Sequence, residues 1–250
     1  MFFGRLIFSV ILASGLSACR TPLKTQPTIP PAPVVKSNSG LTILVANLKK
    51  NKILEATAAA DITVLLESTG NGSATRVLTS LPHSQSKTVA TIKEFIIQQT
   101  PVKLPDRRKL QVLTVQLPPR DRFPDIHNRI LSQLNKVAAR LPKTDLVVAI
   151  GDFGISRPQE EIEKVSERFL QTNWLVSHQL DCTTPTGQAC RGTVLQDGIE
   201  SFREMILLEK DFYDGLKGWK ISRDQVRTFK PEIPVPEEHW PLQITIEPSR

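Results

Sequence analysis

The sequence predicts an α/β fold, because apolar segments of strand length alternate with segments that have helical spacing. Four strand-length runs are nearly continuously apolar, as expected for strands buried on both faces: 41–47, 61–67, 145–150 and 174–176. Helical spacing is clearest at Ile126, Ile130, Leu134, Val137 and Leu141, and Pro142 closes that helix. Strands crowd the last third of the chain, which favours mixed sheets or a second sheet packed on the first.

The remaining elements follow from shorter patterns. Residues 53–60 and 156–169 are predicted helices, the second with Ser156 as its N-cap. Residues 89–98 fit a strand or a helix, and the helical spacing fits slightly better. Further strands are predicted at 110–117, 193–196 and 205–208, and an alternating segment at 242–247 is predicted as an edge strand.

The first 18 residues have the pattern of an export signal. A short basic start precedes an apolar run of 11 residues, 6–16, which is too short to span a bilayer comfortably. The ending Leu16-Ser17-Ala18-Cys19 resembles the lipobox of bacterial lipoproteins, which implies cleavage before Cys19 and acylation of that residue. The alternative is an ordinary secretory signal that a cysteine follows by chance. The predicted organisation is a signal (1–18), an acylated and proline-rich tether (19–40), a domain (41–230) and a proline-rich extension (231–250).

Two cysteines remain after the signal, Cys182 and Cys190. Export implies an oxidising compartment, so a disulfide between them is expected. The short loop that it closes gives roughly 2–3 kcal/mol of stabilisation in the chain-entropy model. A metal site would need further Cys or His residues at close spacing, and none is present.

The net charge of +7 does not indicate nucleic-acid binding. The basic residues are spread along the chain, and no aromatic residues alternate with them as in a single-strand stacking surface. The basic residues therefore form a solvated face or attract an anionic membrane surface or ligand.

The order of segments resembles the calcineurin-like metallophosphoesterase domain of the bacterial 5′-nucleotidase family. The similar segments are LTILVAN, VLLESTGNGS, DLVVAIGDFG, NWLVSHQLD and GTVLQDGIESFREMILLE. The resemblance implies a four-layer α/β/β/α sandwich with mixed sheets. It also implies two divalent metals that clamp a phosphate ester and activate water.

The metal ligands that this family requires are mostly missing. Leu48-Lys49-Lys50 stands where the family has Asp-x-His, and Asp152 stands in place of a histidine. His178 is retained, but Leu180 takes its partner's position. Only Asp152 and His178 remain as ligands, too few for a binuclear centre. We therefore expect no metal and no cofactor, and we expect Lys49 or Lys50 to pair with Asp152 in the emptied cleft.

These observations favour a lipid-anchored protein that has lost catalysis and acts in binding or scaffolding at the cell envelope. The expected partners are the membrane, through the anchor, and an envelope protein, but not nucleic acid. Arg20 after Cys19 favours the outer membrane and a domain that faces the periplasm. The alternative is a divergent phosphoesterase or nucleotidase with one divalent metal at Asp152 and His178. The family assignment requires the strands that end at Asn47, Glu67, Ile150 and Val176 to be neighbours in one sheet.

Overall fold

Two β-sheets pack face to face in the computed structural model, and a long helix covers the outer face of one of them. The structure describes residues 40–47, 60–69, 72–120, 122–154, 174–176, 182–183, 193–196, 199–201, 203–221, 226–229 and 239–249. Contacts divide the chain into two units, Met1–Pro30 and Pro31–Arg250, and all described residues lie in the second. Within these residues no helix has the length and apolar character needed to cross a membrane.

The strands and helices follow one another in a mixed order. The strands are β1 (Leu41–Asn47), β2 (Ile62–Thr69), β3 (Gly72–Thr79), β4 (Lys87–Ile92), β5 (Phe95–Lys103), β6 (Lys109–Gln116), β7 (Leu146–Asp152), β8 (Trp174–Val176), β9 (Cys182–Thr183), β10 (Val194–Gln196), β11 (Ile199–Ser201), β12 (Glu204–Glu209), β13 (Trp219–Ile221), β14 (Val226–Thr228) and β15 (Leu242–Pro248). The helices are α1 (Pro124–Ala139), between β6 and β7, and the short α2 (Lys210–Tyr213), after β12.

The first sheet has the order β3-β2-β1-β15-β14-β9, and β13 also pairs with β15. The β1–β2 and β14–β9 pairs are parallel, whereas β15 is antiparallel to β1. The second sheet has the order β4-β5-β6-β7-β12-β8 and contains a parallel pair, β6–β7. A separate two-stranded ladder joins β10 and β11.

The main core lies between the two sheets. Along β7, Leu146, Val148 and Ile150 belong to this core, while the alternate residues Val147 and Ala149 belong to a second core. Successive side chains of a strand point to opposite faces, and each face of β7 is covered by one of these cores, so every residue of β7 is buried. The second core is closed by the apolar face of α1: Ile130, Leu134 and Val137.

Helix α1 is tied to the segment that follows β7. Pro124 occupies its first turn, where a missing N–H costs nothing. His127 is buried, and its Nε2–H donates a hydrogen bond to the carbonyl oxygen of Phe153 at 2.8 Å. Burial lowers the pKa of His127, and the hydrogen bond to Phe153 opposes that shift. The helix thereby fixes the chain just after Asp152.

The α/β class and the mixed sheets are confirmed, but two predicted elements need correction. Residues 89–98 form the hairpin of β4 and β5, because a turn at Lys93 (φ 53°) places apolar residues of two strands at apparent helical spacing. The strand predicted at 242–247 is not an edge strand, since β15 lies between β1 and β14. The four-layer description is not confirmed: the described layers are two sheets and α1, and the predicted helices at 53–60 and 156–169 lie outside the described residues.

The topology also overturns the family resemblance. Strands β1 and β2 lie in the first sheet, whereas β7 and β8 lie in the second. The four strands that the family assignment requires in one sheet are therefore divided between two. Short apolar strands have similar sequences in many two-sheet α/β folds, so the order of such segments could not identify one family.

Candidate functional site

Polar side chains from both sheets meet where β7 ends and β12 begins. Asp152 and Glu204 are direct partners in the antiparallel ladder of these strands. Ile150 and Ile206, two residues further into the same strands, face the core between the sheets, so Asp152 and Glu204 face the first sheet. Asn47, at the end of β1, donates from its Nδ2 to Glu204 Oε1 at 3.2 Å. The polar cluster thus spans the two sheets at one edge.

Glu204 and His239 form a buried carboxylate–imidazole pair. Glu204 is fully buried, and its Oε1 contacts His239 Nδ1 within hydrogen-bonding distance. Its Oε2 accepts a hydrogen bond from Thr193 Oγ1 at 2.7 Å. Burial raises the pKa of Glu204, but the hydrogen bond and charge of His239 outweigh burial, and the pKa is lowered. Glu204 accepts the hydrogen on Nδ1 of the imidazole, so Nε2 is the ring nitrogen that remains for proton transfer.

Asp152 is paired with Arg203. Arg203 donates from Nη2 to Asp152 Oδ2 at 2.8 Å and from Nε to Oδ1 at 3.3 Å. The backbone N–H of Gly154 adds a third hydrogen bond to Oδ1, at 2.8 Å. Burial raises the pKa of Asp152; Arg203 opposes this shift, and the neighbouring Glu204 adds to it. Two adjacent carboxylates repel each other when both are ionised, and the positive charge of Arg203 offsets that repulsion at Asp152.

Gly154 is required by the turn that holds Asp152. Its φ is +61°, and a Cβ at this position would lie 2.2 Å from the carbonyl oxygen of Pro118. Only glycine meets both conditions without displacing the backbone. The turn thereby keeps its N–H directed at the Asp152 carboxylate.

Two amide oxygens in the cluster have no hydrogen-bond partner among the described residues. They are Asn47 Oδ1 and Gln116 Oε1, and both are buried. Gln116 ends β6 directly beside Asp152 in the parallel β6–β7 ladder. A buried acceptor without a partner is costly, so both atoms suit a hydrogen-bond donor on a bound group.

The donor set of this cluster does not suit a divalent cation. Such cations prefer several oxygen ligands that carry negative charge. Here the guanidinium of Arg203 already occupies both oxygens of Asp152 and would repel a cation beside it. Within the described part of the chain, no three His, Cys, Asp or Glu side chains lie close enough to hold a metal.

Of the predicted cleft residues, only Asp152 lies in the described part of the chain. Its partner there is Arg203. Lys49, Lys50 and His178 lie outside the described residues, so a lysine pairing with Asp152 stays a prediction, as does a role for His178.

The predicted roles of the cysteines stay predictions too. Cys19 and Cys190 are outside the described residues, and for Cys182 only the backbone of β9 is described. Acylation of Cys19 and the disulfide between Cys182 and Cys190 are therefore both untested by the structure.

Sequence reasoning missed most of the cluster: Asn47, Thr193, Arg203, Glu204 and His239. Two signals were present. Asn47 is a polar residue at the carboxyl end of a buried strand, and Glu204 opens the strand EMILLE, whose four middle residues are apolar. His239 contacts Glu204, which lies 35 residues earlier in the sequence. No local spacing connects those two residues.

Sequence comparison does not identify a relative. No family model matches the chain, and no curated protein matches it in sequence.

Solved structures do match the fold. Humanized D. rerio TDP2 has a TM-score of 0.60 and 13% identity, over 83% of this chain and 99% of that one. The human Nocturnin catalytic domain with bound sulfate has a TM-score of 0.56 and 12% identity, over 84% of this chain and 94% of that one. A mannosyl-6-phosphatase from Bacteroides thetaiotaomicron has a TM-score of 0.54 and 11% identity, over 82% of this chain and 99% of that one.

A further match is described as an endonuclease/exonuclease/phosphatase family protein from Bacteroides thetaiotaomicron, with a TM-score of 0.53 and 10% identity over 83% of this chain and 98% of that one. At such low identities the matches establish the fold alone. The resemblance to calcineurin-like 5′-nucleotidases is therefore wrong, as the division of β1, β2, β7 and β8 between two sheets also indicates. The chain has a mixed-sheet sandwich of the endonuclease/exonuclease/phosphatase type, a phosphoesterase-like fold.

Proposed function

We propose that the chain is a divergent phosphoesterase in which His239, held by Glu204, is the general base. The observation that supports this proposal is the buried Glu204–His239 pair at the edge between the two sheets. A carboxylate that fixes one imidazole nitrogen prepares the other for proton transfer. The structural neighbours include a mannosyl-6-phosphatase and an endonuclease/exonuclease/phosphatase family protein, so hydrolysis of a phosphate ester is the reaction class that fits both observations.

In the proposed reaction, His239 Nε2 takes a proton from a water molecule. The water oxygen forms a bond to phosphorus, and the bond from phosphorus to the ester oxygen breaks. The imidazolium then returns the proton to the departing alkoxide. Glu204 stabilises the imidazolium, and its lowered pKa keeps it ionised for that task. General base catalysis of this kind contributes about 10²- to 10⁴-fold to a rate.

Arg203 is the proposed phosphate-binding cation. Two of its nitrogens, Nε and Nη2, contact Asp152 and fix the plane of the guanidinium. Its side chain is 22% exposed, against 4% for Asp152. The remaining N–H groups of a guanidinium can bind phosphate oxygens. Arg203 would thereby supply charge that a metal supplies in other phosphoesterases.

A steady-state assay tests this proposal with phosphate mono- and diesters that release p-nitrophenol. We expect His239→Gln to lower kcat/KM by about 10²-fold or more, and Glu204→Gln to lower it by a smaller factor. Glu94→Gln is the matched control, since Glu94 lies in the exposed turn between β4 and β5. Activity that His239→Gln leaves unchanged would refute the assignment of the base.

The same assay with added chelator or manganese separates three hypotheses. Activity that survives chelation supports the reaction described above. Activity that needs a stoichiometric metal supports the one-metal alternative, in which His178 joins Asp152. No activity under any condition supports the binding or scaffolding role without catalysis, for which the neutralisation of Asp152 by Arg203 is the favouring observation.

We also propose that the domain acts at the cell envelope as a lipoprotein that faces the periplasm, with an envelope protein as partner. The support for this is the sequence around Cys19 and the prolines that follow it. Mass spectrometry of the N-terminal peptide from the natural host tests it. The expected mass is that of a chain that begins with acylated Cys19, and an unmodified Cys19 would contradict lipidation.

A further inference from the structure

A basic cleft lies at the opposite end of the second sheet from the polar cluster. It has a volume of about 460 Å³, and its lining includes three cations, Lys103, Arg107 and Lys109, together with His83. Lys109 begins β6, and Gln116 ends the same strand beside Asp152. Seven strand intervals of about 3.3 Å place the cleft about 23 Å from Asp152. The basic cleft is therefore separate from the candidate site.

Two lysines of the basic cleft are forced together by the strand register. Lys103 and Lys109 are direct partners in the antiparallel β5–β6 ladder, so both side chains lie on the same face of the sheet. Like charges in this position destabilise a sheet. An anion between the two ammonium groups would offset this repulsion.

Arg107 adds a third cation from the turn that joins the two strands. The turn is closed by hydrogen bonds from Leu104 N–H to Arg108 O at 2.8 Å and from Arg107 N–H to Leu104 O at 2.9 Å. Arg107 has a φ of +73°, which is uncommon for a residue with a side chain. The turn thus holds Arg107 over the same cleft as the two lysines.

Asp106, in the same turn as Arg107, has other partners and does not neutralise these cations. Asp106 Oδ2 accepts a hydrogen bond from Trp219 Nε1 at 2.7 Å and forms an ion pair with Arg108 Nε at 3.3 Å, and its Oδ1 accepts from the Arg108 N–H at 3.1 Å. Among the residues that the structure describes, Lys103, Arg107 and Lys109 form no ion pair. Within the described part of the chain, three positive charges therefore line the cleft without a counter-charge.

The opposite wall of the basic cleft is formed by residues 82–84, which are hydrogen-bonded to β5. Lys103 N–H donates to Pro82 O at 2.7 Å, and Ser84 N–H donates to Pro101 O at 3.0 Å. His83 lies between these two bonds, and its Nδ1–H donates to Leu81 O at 3.0 Å. The ring is thereby fixed beside the cations, with Nε2 as its remaining polar atom.

We propose that the basic cleft binds a phosphate group, carried by a soluble phosphorylated molecule or by an anionic lipid headgroup. The volume lies within the range of small-molecule pockets, about 300–1,000 Å³. Lys and Arg side chains form charge-assisted hydrogen bonds to several phosphate oxygens at once. A bound phosphate would also offset the repulsion between Lys103 and Lys109. The proposal does not depend on the proposed hydrolysis.

NMR of the histidine side chains tests the proposal on the full chain in neutral detergent. The chain has four histidines, whose ring signals are assigned with His83→Gln and His239→Gln. Pyrophosphate is the soluble probe. We expect the His83 signal to shift saturably, and a shift of the His239 signal alone would place binding in the other site and overturn the proposal.

Charge variants then identify the cations that bind. Replacing Lys103, Arg107 and Lys109 by Gln should weaken the His83 response at least about tenfold. Replacing Arg120, Arg122 and Arg129 by Gln removes the same charge near the start of α1, at the end of β6 away from the cleft, and should leave the His83 response unchanged. Arg107→Gly is a milder variant that suits the positive φ, so a loss of binding there cannot be attributed to misfolding. Equal loss in both triple variants would refute a specific cleft.

Vesicles distinguish the two sources of the phosphate. Phosphatidylglycerol vesicles that bind the chain, and fail to bind the triple variant of the basic cleft, assign a lipid headgroup. Pyrophosphate binding without vesicle binding beyond that of phosphatidylcholine assigns a soluble ligand. No response to either probe would overturn the proposal.

Discussion

The two ends of the second sheet handle charge in opposite ways. At the end of β7, Asp152 and Glu204 are buried and each has a cationic or imidazole partner. At the start of β6, Lys103 and Lys109 are exposed neighbours without an ion pair in the described structure. Burial removes a charge from water and makes a partner necessary, whereas solvent screens like charges at the surface. The end with Asp152 and Glu204 is therefore sensitive to the loss of one partner. The end with Lys103 and Lys109 can accept an anion as an additional partner.

Removal of Glu204 should have the largest effect. Glu204→Leu takes the acceptor from His239, Thr193 and Asn47 at once. Breaking a buried pair of this kind costs about 3–5 kcal/mol, measured as the free energy of unfolding in urea. Glu67→Gln is the control, because Glu67 pairs with Arg76 at the surface and such pairs contribute about 1 kcal/mol or less. Equal losses in the two variants would remove the distinction between buried and exposed charge.

Gly151→Ala should come next, since it disturbs the backbone beneath Asp152. A Cβ on Gly151 would lie 1.7 Å from the carbonyl oxygen of Val115 in the neighbouring strand. Strands β6 and β7 must separate to accept it, and overpacking of this kind costs about 3 kcal/mol. Thermal unfolding followed by circular dichroism measures the loss. Gly215→Ala, where the nearest atom is the Ser249 hydroxyl at 2.9 Å, should cost less despite its positive φ.

Most of the described strands were predictable from sequence, and their assembly was not. A strand such as β7 is apolar throughout, so its burial is evident from LVVAIGD. The same composition gives no information about which sheet contains it. The hairpin of β4 and β5 was misread because the turn at Lys93 mimics helical spacing. Strand order depends on contacts between distant residues, which a single sequence does not display.

The site was less predictable than the fold. Asp152 was singled out because a carboxylate follows a glycine at the end of a buried strand. Arg203 and Glu204 could not be assigned partners, since Asp152 lies 51 residues from Arg203 and His239 lies 35 residues from Glu204. The expectation that a cation pairs with Asp152 was physically sound, but the described cation is Arg203. A count of metal ligands could not reveal a cluster that balances its charge with a guanidinium.

Acidification should expose the difference between the two buried carboxylates. The folded pKa of Glu204 lies below its usual 4.5, so its contribution to stability is present above pH 4.5 and is lost as pH falls through the folded value. The raised pKa of Asp152 acts in the opposite direction. Urea titrations between pH 3 and pH 6 should show a steeper acid loss for the unmodified protein than for Glu204→Gln. The difference is at most about 1.4 kcal/mol per pH unit. Parallel curves would contradict the lowered pKa.

The smallest effect, and the only one with a gain in stability, is expected at the other end of the sheet. Lys103→Gln removes one of two like charges that face each other across β5 and β6, and should raise the free energy of unfolding by about 0.2–1 kcal/mol. Lys87→Gln is the matched control, because Lys87 lies opposite the neutral Gln99 and its loss relieves no such pair. The gain should shrink in 1 M salt, where the Debye length is about 3 Å. It should also shrink with pyrophosphate present, since an anion between the two lysines removes the repulsion that the substitution relieves. A loss of stability in Lys103→Gln would mean that Lys103 has a stabilising partner outside the described residues.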